Sequence, residues 1–157
     1  MKHVKKQVLL WYSPREMYDL VVAVEDYPKF LPWCQRSEVL AQDTLGMTAR
    51  LHLSYAGVRH AFTTRNVHRE GELVSMELVD GPFSLLEGAW HFTPLAQPGE
   101  PGDDTAAAPQ ACRVDFELSY AFASRPLEVV VSPVFDRIAN TFVDAFVARA
   151  QQVYGVR

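Results

Sequence analysis

Cysteine is scarce: Cys34 and Cys112 are the only two in 157 residues. Two thiols cannot complete a zinc site by themselves, and their wide spacing matches no redox pair. Disulfide frameworks belong to small, cysteine-dense secreted domains, so reduced thiols in a cytoplasm are expected. Long apolar runs are also missing, and none approaches the ~18 residues needed to cross a bilayer. The run Val8–Tyr12 behind Lys5 and Lys6 is too short for a secretory core of about 7–15 residues, and no small-residue cleavage site follows. The mature chain is therefore expected to start near Met1 and to stay soluble in the cytoplasm. Any contact with the inner membrane would be peripheral.

Positive charge is in deficit, with 15 Lys and Arg against 19 Asp and Glu and a net charge of -4. No global field draws such a chain onto DNA, although local basic patches remain open. A Gly-rich phosphate loop, a Ser nucleophile elbow and a His-Glu-x-x-His pattern are all absent. His52, His60 and His68 have no cysteine or paired carboxylate to complete a metal site, and they read as solvent-facing strand residues. Cys34 reads as a buried, inert thiol.

What is present is an ordinary globular composition, 48% hydrophobic and 22% charged, rich in Phe, Tyr and Trp. The length suits one domain over residues 1–157, which buries roughly 68–70% of its unfolded surface. Residues 3–12 read as a strand. Ser13-Pro14-Arg15-Glu16 then has the form of a capping box, with Met17, Leu20, Val21 and Val24 at helical spacing behind it. Two prolines limit Asp26–Trp33 to a helical turn or loop that displays large apolar groups, Phe30 and Trp33 among them.

Six further strands are predicted at 35–43, 47–55, 58–69, 73–79, 85–94 and 111–123, joined mostly by links too short for parallel crossovers. In the last of them Cys112, Val114, Phe116, Leu118, Tyr120 and Phe122 share one face and Arg113, Asp115 and Glu117 the other. The Pro-, Gly- and acid-rich segment 97–109 reads as a disordered hairpin loop. A final helix carries Leu127, Val131, Val134, Ile138, Phe142, Ala145 and Val153 on a helical stripe with Phe135 and Phe146 alongside, beginning near either Pro126 or Ser132.

Strands segregated from helices give an α+β fold, a curved seven-stranded antiparallel sheet wrapped around the terminal helix. A curved sheet meets a straight helix along a line. The gap left beside that line is either filled by large side chains or kept as an apolar cavity. Tyr55, Trp90, Phe92 and Tyr120 suit either core or pocket. Arg59, Arg65 and Arg69 share a parity opposite to Phe62, Thr64 and Asn66. They form either a solvated stripe paired with Glu70, Glu72, Glu77 or Asp80, or a ligand or partner site that includes Arg65.

Four segments in order carry a family resemblance: Tyr27-Pro28-x-Phe30-Leu31-Pro32-Trp33-Cys34; Phe62-Thr63-Thr64-Arg65-Asn66; Asp80-Gly81-Pro82-Phe83 with Gly88-x-Trp90-x-Phe92; and Val143-x-Ala145-Phe146-x-x-Arg149. The chain resembles the coenzyme Q-binding protein and ribosome-association toxin family, a branch of the START-like (SRPBCC) superfamily that also carries a polyketide-cyclase label. The resemblance implies a helix-grip fold. It implies a cavity flanked by the Tyr27–Trp33 loop and the Gly81-Pro82-Phe83 turn, with Phe142 and Phe146 as the helical wall. Expected ligand-binding residues are Phe30, Trp33, Tyr55, Phe62, Arg65, Phe83, Trp90, Tyr120, Phe142 and Phe146.

Three functions compete. The first is a non-catalytic carrier of a hydrophobic small molecule such as ubiquinone, which needs no cofactor and supports respiration. Its alternative is a protein that contacts the large ribosomal subunit and blocks subunit association. A cyclase would need Tyr55, Tyr120 or Arg65 as acid or base.

Overall fold

The computed structural model describes residues 1–95 and 111–157; the predicted loop at 97–109 lies outside the described residues. The chain runs β1 (Lys2–Leu10), α1 (Pro14–Val22), a 3-10 turn (Val24–Lys29), β2 (Cys34–Gln42), β3 (Gly46–Tyr55), β4 (Val58–Arg69), β5 (Leu73–Asp80), β6 (Phe83–Pro94), β7 (Cys112–Phe122) and α2 (Arg125–Tyr154). The seven strands form one sheet in the order β1-β7-β6-β5-β4-β3-β2. Every neighbouring pair is antiparallel. The β3–β4 hairpin turns through Ala56 and Gly57 with φ of 52° and 82°, the pair of left-handed residues that matches strand twist in a two-residue turn.

The capping box forms as its residues predict. Glu16 N–H donates to Ser13 Oγ at 3.0 Å, and Ser13 N–H donates back to Glu16 Oε1 at 2.9 Å. Met17, Tyr18, Leu20 and Val21 bury the inner face of α1. Helix α2 takes the earlier of its two expected starts, with Ser124 as N-cap and 30 residues in length, a rod of about 45 Å. Pro133 lies inside it and removes one backbone donor without ending it. Alternate residues of the strands pack with α1 and α2 into one apolar cluster.

Two expectations about exposure fail. The Phe30–Trp33 segment is not displayed to solvent: Leu31 and Trp33 are buried and Phe30 is half-buried. The chain turns inward there because Leu31 N–H donates to Tyr27 O, Cys34 N–H to Leu31 O, and Ser54 N–H to Trp33 O. His68 is likewise not solvent-facing. It shares the inward parity of Phe62, Thr64 and Asn66 and lies edge-on to Tyr18 of α1, with its Nε2 enclosed and without a hydrogen-bond partner among the described residues. Burial, assisted by the Arg65 charge, lowers its pKa and keeps it neutral. His52 is on the outer face, 3.2 Å from Glu38.

Candidate functional site

Where α2 crosses the concave face of the sheet, the contact is incomplete and a cavity of about 70 Å³ remains. Its floor is built by Ala49 and Leu51 of β3, Phe62, Thr64 and Asn66 of β4, Met76 of β5, Leu86 of β6, and Phe116 and Leu118 of β7. Its roof is Phe135, Ile138, Ala139 and Phe142 of α2, and Val24, Tyr27 and Trp33 close one side. Small side chains at Ala49 and Ala139 leave the space. Gly88 stands in register between Met76 and Leu118 because the strands approach too closely there for a side chain: a Cβ would lie 2.6 Å from Glu117 O. Leu51, Met76 and Leu118 point inward by parity yet are only half-buried, and all three border the void.

Among the described residues, no charged side chain lines this cavity. Its polar character comes mainly from Thr64, whose Oγ1 donates to Asn66 Oδ1 at 2.8 Å with both residues buried. Asn66 Nδ2 makes no side-chain hydrogen bond among the described residues, yet it is not one of the fully enclosed unpaired atoms, which are His68 Nε2 and Trp90 Nε1, so this end of the amide is left free beside the cavity. Tyr27 is spoken for, since its hydroxyl donates to Val21 O at 2.5 Å. Burial raises its pKa, so it stays neutral.

A second, open groove of about 200 Å³ lies alongside, lined by Pro32, Trp33, Tyr55, Val134, Arg137, Ile138 and Thr141. Trp33 and Ile138 border both spaces, so these two side chains form the partition between groove and cavity.

Of the residues expected to bind ligand, Trp33, Phe62 and Phe142 line the cavity. Tyr55, at the end of β3 beside the hairpin turn, lines only the groove, opposite Val134, Arg137, Ile138 and Thr141 of α2. The remaining aromatics form a second tier behind the wall. Trp90 packs 4.6 Å from Phe116, Phe146 5.1 Å from Phe142, and Phe83 and Tyr120 stand 4.8 and 4.7 Å from Phe135. Phe30 stacks edge-on to Phe146 at 5.0 Å, with the Arg149 guanidinium 5.3 Å from its ring.

Arg65 is the clear correction. It faces away from the cavity on the outer side of the sheet, and its Nη2 donates to both Asp43 oxygens at 3.0 and 2.9 Å. The cause is strand parity, which puts Arg65 opposite to Thr64 and Asn66. Of the acids expected to pair with the arginine stripe, Glu72 approaches Arg69 at 3.9 Å, while Glu70 binds Arg15 instead. Asn66, Met76, Phe135 and Ala139 were not singled out as site residues from sequence. For Thr64 and Asn66 the signal was available, since they share a face with Phe62.

The cavity offers little to acid–base or thiol chemistry. Tyr120 OH is engaged with Asp136 at 2.5 Å, and burial together with that carboxylate raises its pKa. Burial pushes the thiol of Cys34 up to about 11 and that of Cys112 up to about 12. No cluster of three His, Cys, Asp or Glu suited to a metal occurs among the described residues. No described helix is long and apolar enough to cross a membrane.

Comparison with known proteins agrees with this picture. The chain is 39% identical over 157 residues to the ribosome association toxin RatA of Escherichia coli K12, covering all of this chain and 92% of the relative. It is 30% identical over 148 residues to the mitochondrial coenzyme Q-binding protein COQ10 homolog B of Xenopus laevis, covering 94% of this chain and 57% of that one. The solution structure of an 18 kDa protein from Caulobacter crescentus superposes with a TM-score of 0.71 at 28% identity, covering 99% and 100% of the two chains. The first two relatives are named for toxicity and for binding, not for an enzymatic reaction. A sheet gripping one long helix over an apolar void, with residues 10–147 matching the polyketide cyclase/dehydrase and lipid transport model, shows that the chain belongs to that family.

Proposed function

We propose that the protein binds a hydrophobic small molecule beneath α2 without transforming it, and that the ligand is a ubiquinone-like polyprenyl lipid in support of respiration. The observation that carries this reading is a void with apolar walls, no charged side chain among its described lining residues, and the Asn66 amide still able to hydrogen-bond. Apolar burial contributes about 25 cal/mol per Å², so an isoprenoid chain needs few polar contacts to bind.

The resting cavity is small for this purpose. A dry cavity of about 150 Å³ accepts a benzene ring, roughly twice the 70 Å³ present. Uptake therefore requires the wall to yield. Met76 is unbranched and adaptable, and displacement of Trp33 and Ile138 joins the cavity to the 200 Å³ groove. The test is organic extraction of protein purified from its host, followed by titration with short-chain ubiquinone. Co-purifying quinone with saturable binding supports the reading; neither one overturns it.

A second reading, action on ribosomes, is favoured by the end-to-end 39% identity to RatA. Lys5, Lys6 and Arg59 are exposed and could meet ribosomal RNA locally, against the overall charge of -4. Sucrose gradients of ribosomes with added protein decide it. A rise in free subunits supports the reading, and an unchanged ratio of subunits to monosomes overturns it.

A further inference from the structure

We propose that the Thr64–Asn66 pair is a head-group anchor: it receives the uncharged, oxygen-bearing end of an amphiphile, whose tail leaves past Trp33 and Ile138 into the outer groove. This rests on the ligand-binding reading above and assigns the ligand's chemistry and direction. Asn66 is 6% exposed and borders the cavity, and among the described residues its side chain forms only the bond it accepts from Thr64 at 2.8 Å. The free amide hydrogens of a side chain bordering the void can donate to a ligand carbonyl or hydroxyl placed there.

The lining also sets what the head cannot be. With no cation among the described residues of the cavity wall, a carboxylate or phosphate would be desolvated without compensation. The head is therefore a neutral carbonyl or hydroxyl group, as a quinone presents.

The direction follows from the two spaces. The inner cavity is compact and ends on a polar pair, whereas the groove is open and carries Pro32, Val134 and Ile138 along an apolar path. A tail-first ligand would leave the Asn66 amide buried against methylenes and place its head near Arg137 and Tyr55. That opposite arrangement predicts dependence on Arg137 instead of Asn66.

The test uses two ligands that share a tail, 2-decyl-1,4-benzoquinone and decylbenzene, the second lacking both carbonyls. The chain has two asparagines, Asn66 and Asn140, so protein labelled with 15N at asparagine shows two side-chain amides. Asn140 is exposed on α2 and serves as the internal reference.

The quinone is expected to shift the Asn66 amide and decylbenzene to leave it nearly in place, with Asn140 still in both titrations. Asn66→Leu is expected to weaken the quinone about tenfold and decylbenzene less than about twofold, as loss of one hydrogen bond predicts. Equal shifts with both ligands, or equal weakening of both, overturns the anchor while leaving ligand binding intact. Loss of quinone binding in Arg137→Gln with Asn66→Leu unaffected overturns the direction. Failure of both ligands to bind the unmodified protein overturns the ligand-binding reading itself. Should Asn66→Leu not fold, the Asn66 amide shift in the unmodified protein decides.

Discussion

The hydroxyl of Tyr120 donates a 2.5 Å hydrogen bond to Asp136 Oδ1, tying the buried face of β7 to α2. Lys2 of β1 donates to the other oxygen of the same carboxylate and to Ser132 Oγ, so three elements meet at this point. Burial works to raise the Asp136 carboxyl. The hydrogen bonds from Lys2 and Tyr120, with the Lys2 charge, outweigh it and hold the group below the usual carboxylate range.

Tyr120→Phe is expected to cost about 1–2 kcal/mol at pH 7, because a charge-assisted bond is lost while Lys2 and solvent still reach the carboxylate. The pH dependence has a definite sign. A carboxyl whose folded pKa lies below its unfolded value of about 3.9 contributes fully above that value and loses its contribution as pH falls through the folded one. The gap between variant and parent should therefore shrink below about pH 4. Urea denaturation at pH 7 and pH 3 measures it, and an unchanged gap would refute the assignment.

Phe142→Ala probes whether the roof of the cavity is wall or filler. The ring packs 6.1 Å from Trp33, 5.7 Å from Trp90 and 5.6 Å from Phe116, yet also faces the void. Phe→Ala in a full core costs about 3–5 kcal/mol, and a side chain bordering empty space belongs near the lower end, about 3. Chemical denaturation reads this directly. A loss below about 1 kcal/mol, a surface-like value, would mean that the ring contributes little packing.

The two thiols should be silent in the folded state. With Cys34 raised to about 11, roughly one thiol in a thousand is ionised at pH 8, and Cys112 at about 12 is lower still. Both are also buried. Ellman's reagent is expected to react slowly with native protein and to titrate two thiols promptly in guanidinium. Rapid native labelling of one thiol would show that its surroundings open readily.

How far the sequence carried can be judged from β4 and the 30–33 loop. Alternation along β4 already separates Arg59, Arg65 and Arg69 from Phe62, Thr64 and Asn66, so the outward direction of Arg65 was legible from parity alone. Along β7 the same alternation correctly placed Phe116 and Tyr120 inward.

Parity cannot say which inward ring meets α2 and which meets the void. Phe116 lines the cavity and Trp90, directly across the β6–β7 pairing from it, does not. That difference depends on where a helix from the far end of the chain crosses the sheet, a non-local fact absent from any single strand. The Phe30-Leu31-Pro32-Trp33 run has no period to read, and its inward turn rests on backbone bonds to Tyr27 and Ser54.

Ala139→Leu offers the sharpest separation of the two proposed functions. Ala139 is 1% exposed on α2 and faces the void, so a larger side chain there projects into the cavity without disturbing the molecular surface. Leucine is almost as good a helix former as alanine, so α2 itself is little affected. Added apolar burial and some overpacking oppose each other, and stability should change by about 1 kcal/mol or less in either direction. Quinone binding should fall by more than about tenfold, since the space for a ring is gone. Binding that survives would place the ligand outside the cavity, in the Tyr55–Arg137 groove. The same variant added to ribosomes then separates the two readings: a surface interaction persists with the cavity filled, whereas an interaction gated by bound lipid disappears together with quinone binding.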